Sequence, residues 1–173
     1  MRTRAVLAGV LVVCLLVPTG VVAIEGQPNL SATLPENRVS PGEETELRLQ
    51  ITNVGSLEES GDSPQIEQRL TTARGVRAEL QTGDGPITVE TSTASLGSIA
   101  DGGVATMPVR VSVAEDAEPG SYRLRVRLRY EYTEEIADHD GEHEEVTKTR
   151  YAFVRVVVEP EARFRLVESA TDT

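Results

Sequence analysis

After Ile24 the hydrophobic and polar positions fall into short alternating runs, punctuated by Gly, Pro, Asn and Asp. No long helical period interrupts them. This pattern predicts an all-β protein, an Ig-like antiparallel β-sandwich of about seven strands. The run "NLSATL" (29–34) reads as a first strand and "SPGEE" (40–44) as a turn. In "TELRLQITN" (45–53), Leu47, Leu49 and Ile51 share one face, and Glu46, Arg48 and Gln50 share the other, because successive side chains of a strand point to opposite sides. Residues 55–73 are polar and irregular, with a loop at "SLEESGDSP" and a short helical turn at "QIEQRLTTA". Alternation resumes at "GVRAELQT" (75–82), which turns Val76, Ala78 and Leu80 inward and Arg77 and Glu79 outward. A turn at "GDGP" (83–86) leads to a strand at "ITVET" (87–91). "LGSIADGG" (96–103) reads as a loop carrying a Gly pair, and "VATMPVRVSV" (104–113) as a strand. Pro108 lacks a backbone donor, which predicts an edge or a bulge there.

The longest period of two lies in "SYRLRVRLRYEYTEE" (121–135). Tyr122, Leu124, Val126, Leu128, Tyr130 and Tyr132 share the inward face; Arg123, Arg125, Arg127 and Arg129 form a comb on the other. Alternation alone generates such a row, so the comb reads as the outward face of a long strand. Cross-strand acids such as Glu79 would pair with it, each exposed pair worth about 0.2–1 kcal/mol. The functional alternative is a docking face for an anionic partner or a lipid headgroup. "EEIADHDGEHEE" (134–145) then forms an acidic hairpin loop, and "VTKTRYAFVRVVVEP" (146–160) returns. Alternation fails near Phe153 and Val154, which predicts a bulge or burial on both sides. "EARFRLVESATDT" (161–173) begins like another strand, either a tail or the start of a second, truncated repeat.

The amino terminus breaks the pattern. "MRTRAVLAGVLVVCLLVPTGVVA" has basic Arg2 and Arg4, an apolar run from Ala5 to Val17, and a Pro18-Thr19-Gly20 break before small residues. These are the parts of a secretory signal peptide spanning 1–23. The rival reading is an uncleaved anchor, since Ala5 to Ile24 is just long enough to span a bilayer. Cys14 is the only cysteine, so no intrachain disulfide forms. Val13 before it is too large for the usual lipoprotein site. The residues therefore imply an exported protein, extracellular or at the cell surface, with membrane anchoring left open, and one domain over 28–160.

Charge adds a second layer. The chain of 173 residues carries 28 Asp+Glu against 17 Lys+Arg, for a formal net charge of −11. Lys148 is the single lysine. An acid-rich chain almost without Lys resembles proteins of extreme halophiles, where carboxylates hold water and Arg forms fork-like pairs. The same bias arises in an ordinary acidic protein from a GC-rich genome. Either way, an acidic surface repels nucleic-acid phosphates. Aromatic residues are 3% of the chain, with no Trp, which leaves little for stacking on bases.

Candidate chemistry is sparse. "DHDGEHEE" (138–145) gathers both histidines and several acids. Asp138, Asp140 and Glu142 are the candidate metal ligands, and Asp-x-Asp-Gly matches part of a calcium loop. The remaining calcium-loop spacing is missing, and a solvated loop tip accounts for the same residues. His139 and His143 would serve a transition metal only if something fixed their geometry. Asn29-Leu30-Ser31 is a glycosylation sequon, with Asn29 the acceptor. There is no nucleophile elbow, phosphate loop or His–Glu zinc motif. The chain reads as a non-enzyme with no small-molecule substrate and no cofactor beyond candidate Ca²⁺.

Four stretches carry a family likeness: "ITNVG" (51–55), "LGSIADGG" (96–103), "PVRVSV" (108–113) and "DAEPGSYRLRVRLRY" (116–130). Together they resemble the Ig-like repeats of archaeal S-layer-associated surface proteins. Related bacterial modules are the cell-adhesion-related CARDB domain and the Ig-like module beside carbohydrate-binding domains of glycosidases. In that pattern one strand ends in Asn-x-Gly, here Asn53 and Gly55. A Gly-rich Leu-Gly-x-Ile stretch follows, here Leu96, Gly97 and Ile99. Pro-Gly-x-Tyr opens the penultimate strand, here Pro119, Gly120 and Tyr122, with the tyrosine hydroxyl held near backbone. The polar insertion at 56–73 and the long acidic hairpin depart from the pattern. The resemblance implies a non-catalytic envelope module acting as spacer, adhesion element or accessory to a membrane complex. Its partners would be other envelope or membrane proteins, or tandem copies of itself. The alternatives are a glycan- or calcium-binding module, or an accessory domain of a larger envelope enzyme or exporter.

Overall fold

The computed structural model describes residues 23–58, 63–90, 93–137 and 143–160. Among them the chain forms eleven strands and one helix: β1 (Ala23–Gln27), β2 (Leu30–Thr33), β3 (Arg38–Val39), β4 (Glu44–Asn53), β5 (Ser56–Leu57), α1 (Pro64–Thr71), β6 (Ala73–Gln81), β7 (Ile87–Val89), β8 (Thr93–Ile99), β9 (Val104–Val113), β10 (Gly120–Ala137) and β11 (His143–Val158). They make two sheets. One runs β2-β4-β9-β7. The other is built on β10, which pairs β11 along one side. On its other side β10 pairs β6 from Arg125 to Glu131 and then β1 from Glu135 to Ala137. β8 extends the sheet beyond β6, β5 beyond β1, and β3 lies parallel to β11. The first order matches A-B-E-D of an immunoglobulin sandwich, and β6-β10-β11 matches C-F-G.

The expected all-β sandwich is therefore present, and the inward rows form its core. Leu49, Ile51, Val109, Val111, Val126, Leu128 and Val156 are fully buried. Burying each such side chain contributes about 1.5–3 kcal/mol. Asn53 joins the two layers at one end. Its Oδ1 accepts from the Asn29 N–H at 2.9 Å, and its Nδ2 donates to the carbonyls of Thr71 at 2.7 Å and Ile99 at 2.9 Å. At the other end, Tyr122 donates to the Glu118 carbonyl at 2.7 Å, the corner geometry that the Pro-Gly-x-Tyr stretch implies.

Several expectations change. Four elements join the seven-strand core: β1, β3, β5 and β8. β1 starts at Ala23, upstream of the expected domain edge at 28, and its Ile24 packs with Leu70 and Ile136 in a small satellite core. α1, at the expected helical turn, supplies Leu70. β8 occupies part of the expected 96–103 loop. Its register against β6 shifts on both sides of Val76, with Gly75 at φ +56° and Gly97 at φ +71°. Those bulges blur the period of two. Pro108 sits in β9 between β4 and β7, yet β7 reaches only Val111 to Val113, so the strand is locally an edge at the proline. The broken alternation near Phe153 is neither a bulge nor two-sided burial. Pairing with β10 is continuous there, Val154 is buried, and Phe153 and Tyr151 are about half exposed. Residues 1–22 and 161–173 lie outside the described residues.

Candidate functional site on the outer sheet face

The arginine comb stands on the outward face of β10, flanked by β6 and β11. Register sorts this face into cross-strand rows. Glu79, Arg127 and Tyr151 form one row; Gln81, Arg125 and Phe153 form the next. Glu79 and Arg127 make the anticipated ion pair at 2.5 Å. Arg125 Nε donates to Gln81 Oε1 at 2.7 Å, and Gln81 Nε2 donates to Glu79 Oε1 at 2.8 Å. The Gln81 hydrogen bond, with Arg127 and Arg125, holds the Glu79 carboxyl below its ordinary range, against an opposing desolvation cost. Guanidiniums also cover the two rings. Arg123 lies 4.3 Å from the centroid of Phe153, and Arg125 lies 5.3 Å from that of Tyr151. Arg hosts such contacts well because its planar cation is weakly hydrated. This explains why apolar residues occupy the exposed side of β11.

One row differs. Arg129 stands directly opposite Arg77 on β6 and Thr149 on β11. An open groove of about 570 Å³ borders it, reached by Thr147, Thr149 and Tyr151. Nearer the hairpin, Arg74 pairs with Glu145, and Thr133 Oγ1 donates to Glu145 Oε1 at 2.9 Å. That network closes the β10 bulge between Thr133 and Glu135.

The sequence candidates fare differently. Asp138, Asp140 and Glu142, with His139, lie outside the described residues. His143 opens β11, with Nε2 3.8 Å from Glu145 Oε1. Among the described residues no cluster of three or more His, Cys, Asp or Glu is arranged to hold a metal ion. Asn29 is exposed, and its side-chain oxygen accepts from Arg150 Nη1. Arg77 and Tyr151 escaped the sequence reading as site residues. The outward parity of Arg77 beside Glu79 was the available signal; Tyr151 was hidden by the failed alternation.

Among the described residues no helix is long and apolar enough to cross a membrane. No family model matches the sequence, and no curated protein matches it. Among solved structures, this chain is similar to the crystal structure of BslA, a bacterial hydrophobin, over 80% of this chain and 98% of that one, with 12% sequence identity and a TM-score of 0.29.

Proposed function

We propose that this chain is an exported, non-catalytic sandwich module of a cell envelope, adapted to a salty exterior like that of halophilic archaea. It serves as a spacer or adhesion element, or as an accessory to a membrane complex, and its partners are other envelope proteins or tandem copies of itself. The observation that carries the reading is how the motif residues are used. Asn53 and Tyr122 are engaged in holding the two layers and the corner together. Gly55 is fixed by close approach, since a Cβ there would lie 2.5 Å from Thr71 Cβ. The distinctive residues thus serve the scaffold, as a load-carrying module requires. The basic and apolar amino terminus supports export.

The test is the intact mass of the native protein in envelope, supernatant and cytosolic fractions. A species lacking the amino-terminal segment, or held in the envelope, is the expected result. A cytosolic species retaining residues 1–23 would overturn the reading.

A further inference from the structure

The row formed by Arg77, Arg129 and Thr149 is incompletely satisfied. Like charges directly opposite each other in a sheet are destabilising, and here two guanidiniums face each other at paired positions. Among the described residues neither makes an ion pair or a side-chain hydrogen bond. The neighbouring arginines do: Arg127 has Glu79 and Arg125 has Gln81. The open pair therefore lies between the satisfied Arg127 row and the exposed Glu131 carboxylate, at the edge of a groove with the Thr147 and Thr149 hydroxyls.

The geometry points to a binding site for an acidic polysaccharide, with one carboxylate or sulfate seated between Arg77 and Arg129. Two guanidiniums present forks of donors matched to a single oxyanion. The threonine hydroxyls offer partners to neutral sugar hydroxyls. One open cation pair with the Glu79 and Glu131 carboxylates on either side suits a polymer whose anions are separated by neutral polar groups. A nucleic acid presents a phosphate at every repeat, more closely spaced anions than one open cation pair can neutralise. A bilayer needs apolar side chains free to insert, whereas Phe153 and Tyr151 lie beneath Arg123 and Arg125. This inference rests on the adhesion form of the module reading and names its ligand class.

The experiment is calorimetric titration of the full chain with hyaluronan oligosaccharides, in which a neutral sugar separates successive carboxylates, in about 0.1 M salt, where the Debye length is about 10 Å. Neutral dextran is the control. Binding to the hyaluronan oligosaccharides and not to dextran is expected. R77Q and R129Q should each weaken it about tenfold or more, the scale of one charge-assisted hydrogen bond. R110Q, on the opposite sheet, should leave it unchanged. Without ligand, R129Q should melt at or above the wild-type temperature, by up to about 4 °C, because the like-charge opposition is relieved. No binding by the wild type, equal binding by the variants, or a lower melting temperature for R129Q would overturn the site. Tighter binding to phosphatidylglycerol vesicles than to the hyaluronan oligosaccharides, lost in the same variants, would assign the face to a membrane instead. An envelope-held protein that ignores the hyaluronan oligosaccharides leaves the module reading standing and removes this one; a cytosolic protein that binds them does the reverse.

Discussion

Asn53 is a polar residue with no exposed surface, and each of its side-chain bonds reaches a different part of the chain. It touches the start of β2 through the Asn29 N–H, the end of α1 through Thr71, and the end of β8 through Ile99. Truncation would take this partner from two carbonyls in the interior and from one partly buried N–H. Asn53→Ala is accordingly expected to cost about 2–4 kcal/mol, given about 1–3 kcal/mol per buried group left without a partner. Denaturant midpoints at unchanged slope check this; a loss below about 0.5 kcal/mol, the usual range for surface changes, would contradict the stitching role. The tyrosines of β10 make a second residue-scale case. Burial, then the Glu134 hydrogen bond and charge, push the Tyr132 phenol up to about 12. Burial also lifts Tyr130, against the opposing charge of Arg150. A phenol whose folded value exceeds its unfolded value of about 10 stabilises fully at neutral pH. That contribution is lost as pH rises from the unfolded value through the folded one, because the unfolded chain releases its proton first. Absorbance titration should therefore show Tyr130 and Tyr132 ionising late and together with unfolding, and Tyr132→Phe should lower the amplitude of that late transition by one phenol.

Among the elements, α1 and β1 form a layer of their own. Leu70, Ile24 and Ile136 bury one another apart from the main core. Leu70→Ala is expected to cost about 2–4 kcal/mol in cavity and transfer terms. Hydrogen exchange should quicken in α1, β1 and the end of β10, while β4 and β9 keep their protection; a uniform loss of protection would mean that the two cores unfold as one. The same contrast shows how much of the fold was legible in the sequence. β4, β9 and β10 were readable to within a residue or so at most ends because a long period of two survives in each. The Glu79–Arg127 pair was legible because both residues sit at outward positions of readable strands. β8 was not, because Gly75 and Gly97 shift its register and Ser95, Gly97 and Ser98 leave it without a clear hydrophobic face. β1 was hidden because its residues adjoin the apolar amino-terminal segment. Tyr151 and Phe153 misled because they are apolar residues on an exposed face, where cations from the neighbouring strand cover them. The open row of Arg77 and Arg129 became visible only once register set β6 against β10.

At the scale of the whole molecule, charge is the dominant feature. A net charge of −11 on 173 residues opposes compaction by self-repulsion. Raising salt from about 0.1 M to about 1 M shortens the Debye length from about 10 Å to about 3 Å. The melting temperature should rise over that interval, because long-range repulsion is screened while contact pairs such as Arg38–Glu159 at 2.6 Å persist. A falling melting temperature would mean that the ion pairs outweigh the repulsion. One feature of the topology also bears on how the module meets force. β1 and β11 run in the same direction on either side of β10, pairing Ala23 with Ala137 and Val158 with Gly120. These two exits of the sandwich therefore lie at opposite poles, about 55 Å apart by the rise of an extended strand. Tension applied between them pulls β1 and β11 along their own axes, as it does the parallel β3–β11 pair. Their hydrogen bonds are then loaded in shear and must rupture together, where an unzipping geometry would break them one at a time. The same strand that displays the arginines is the tie-bar between the two ends.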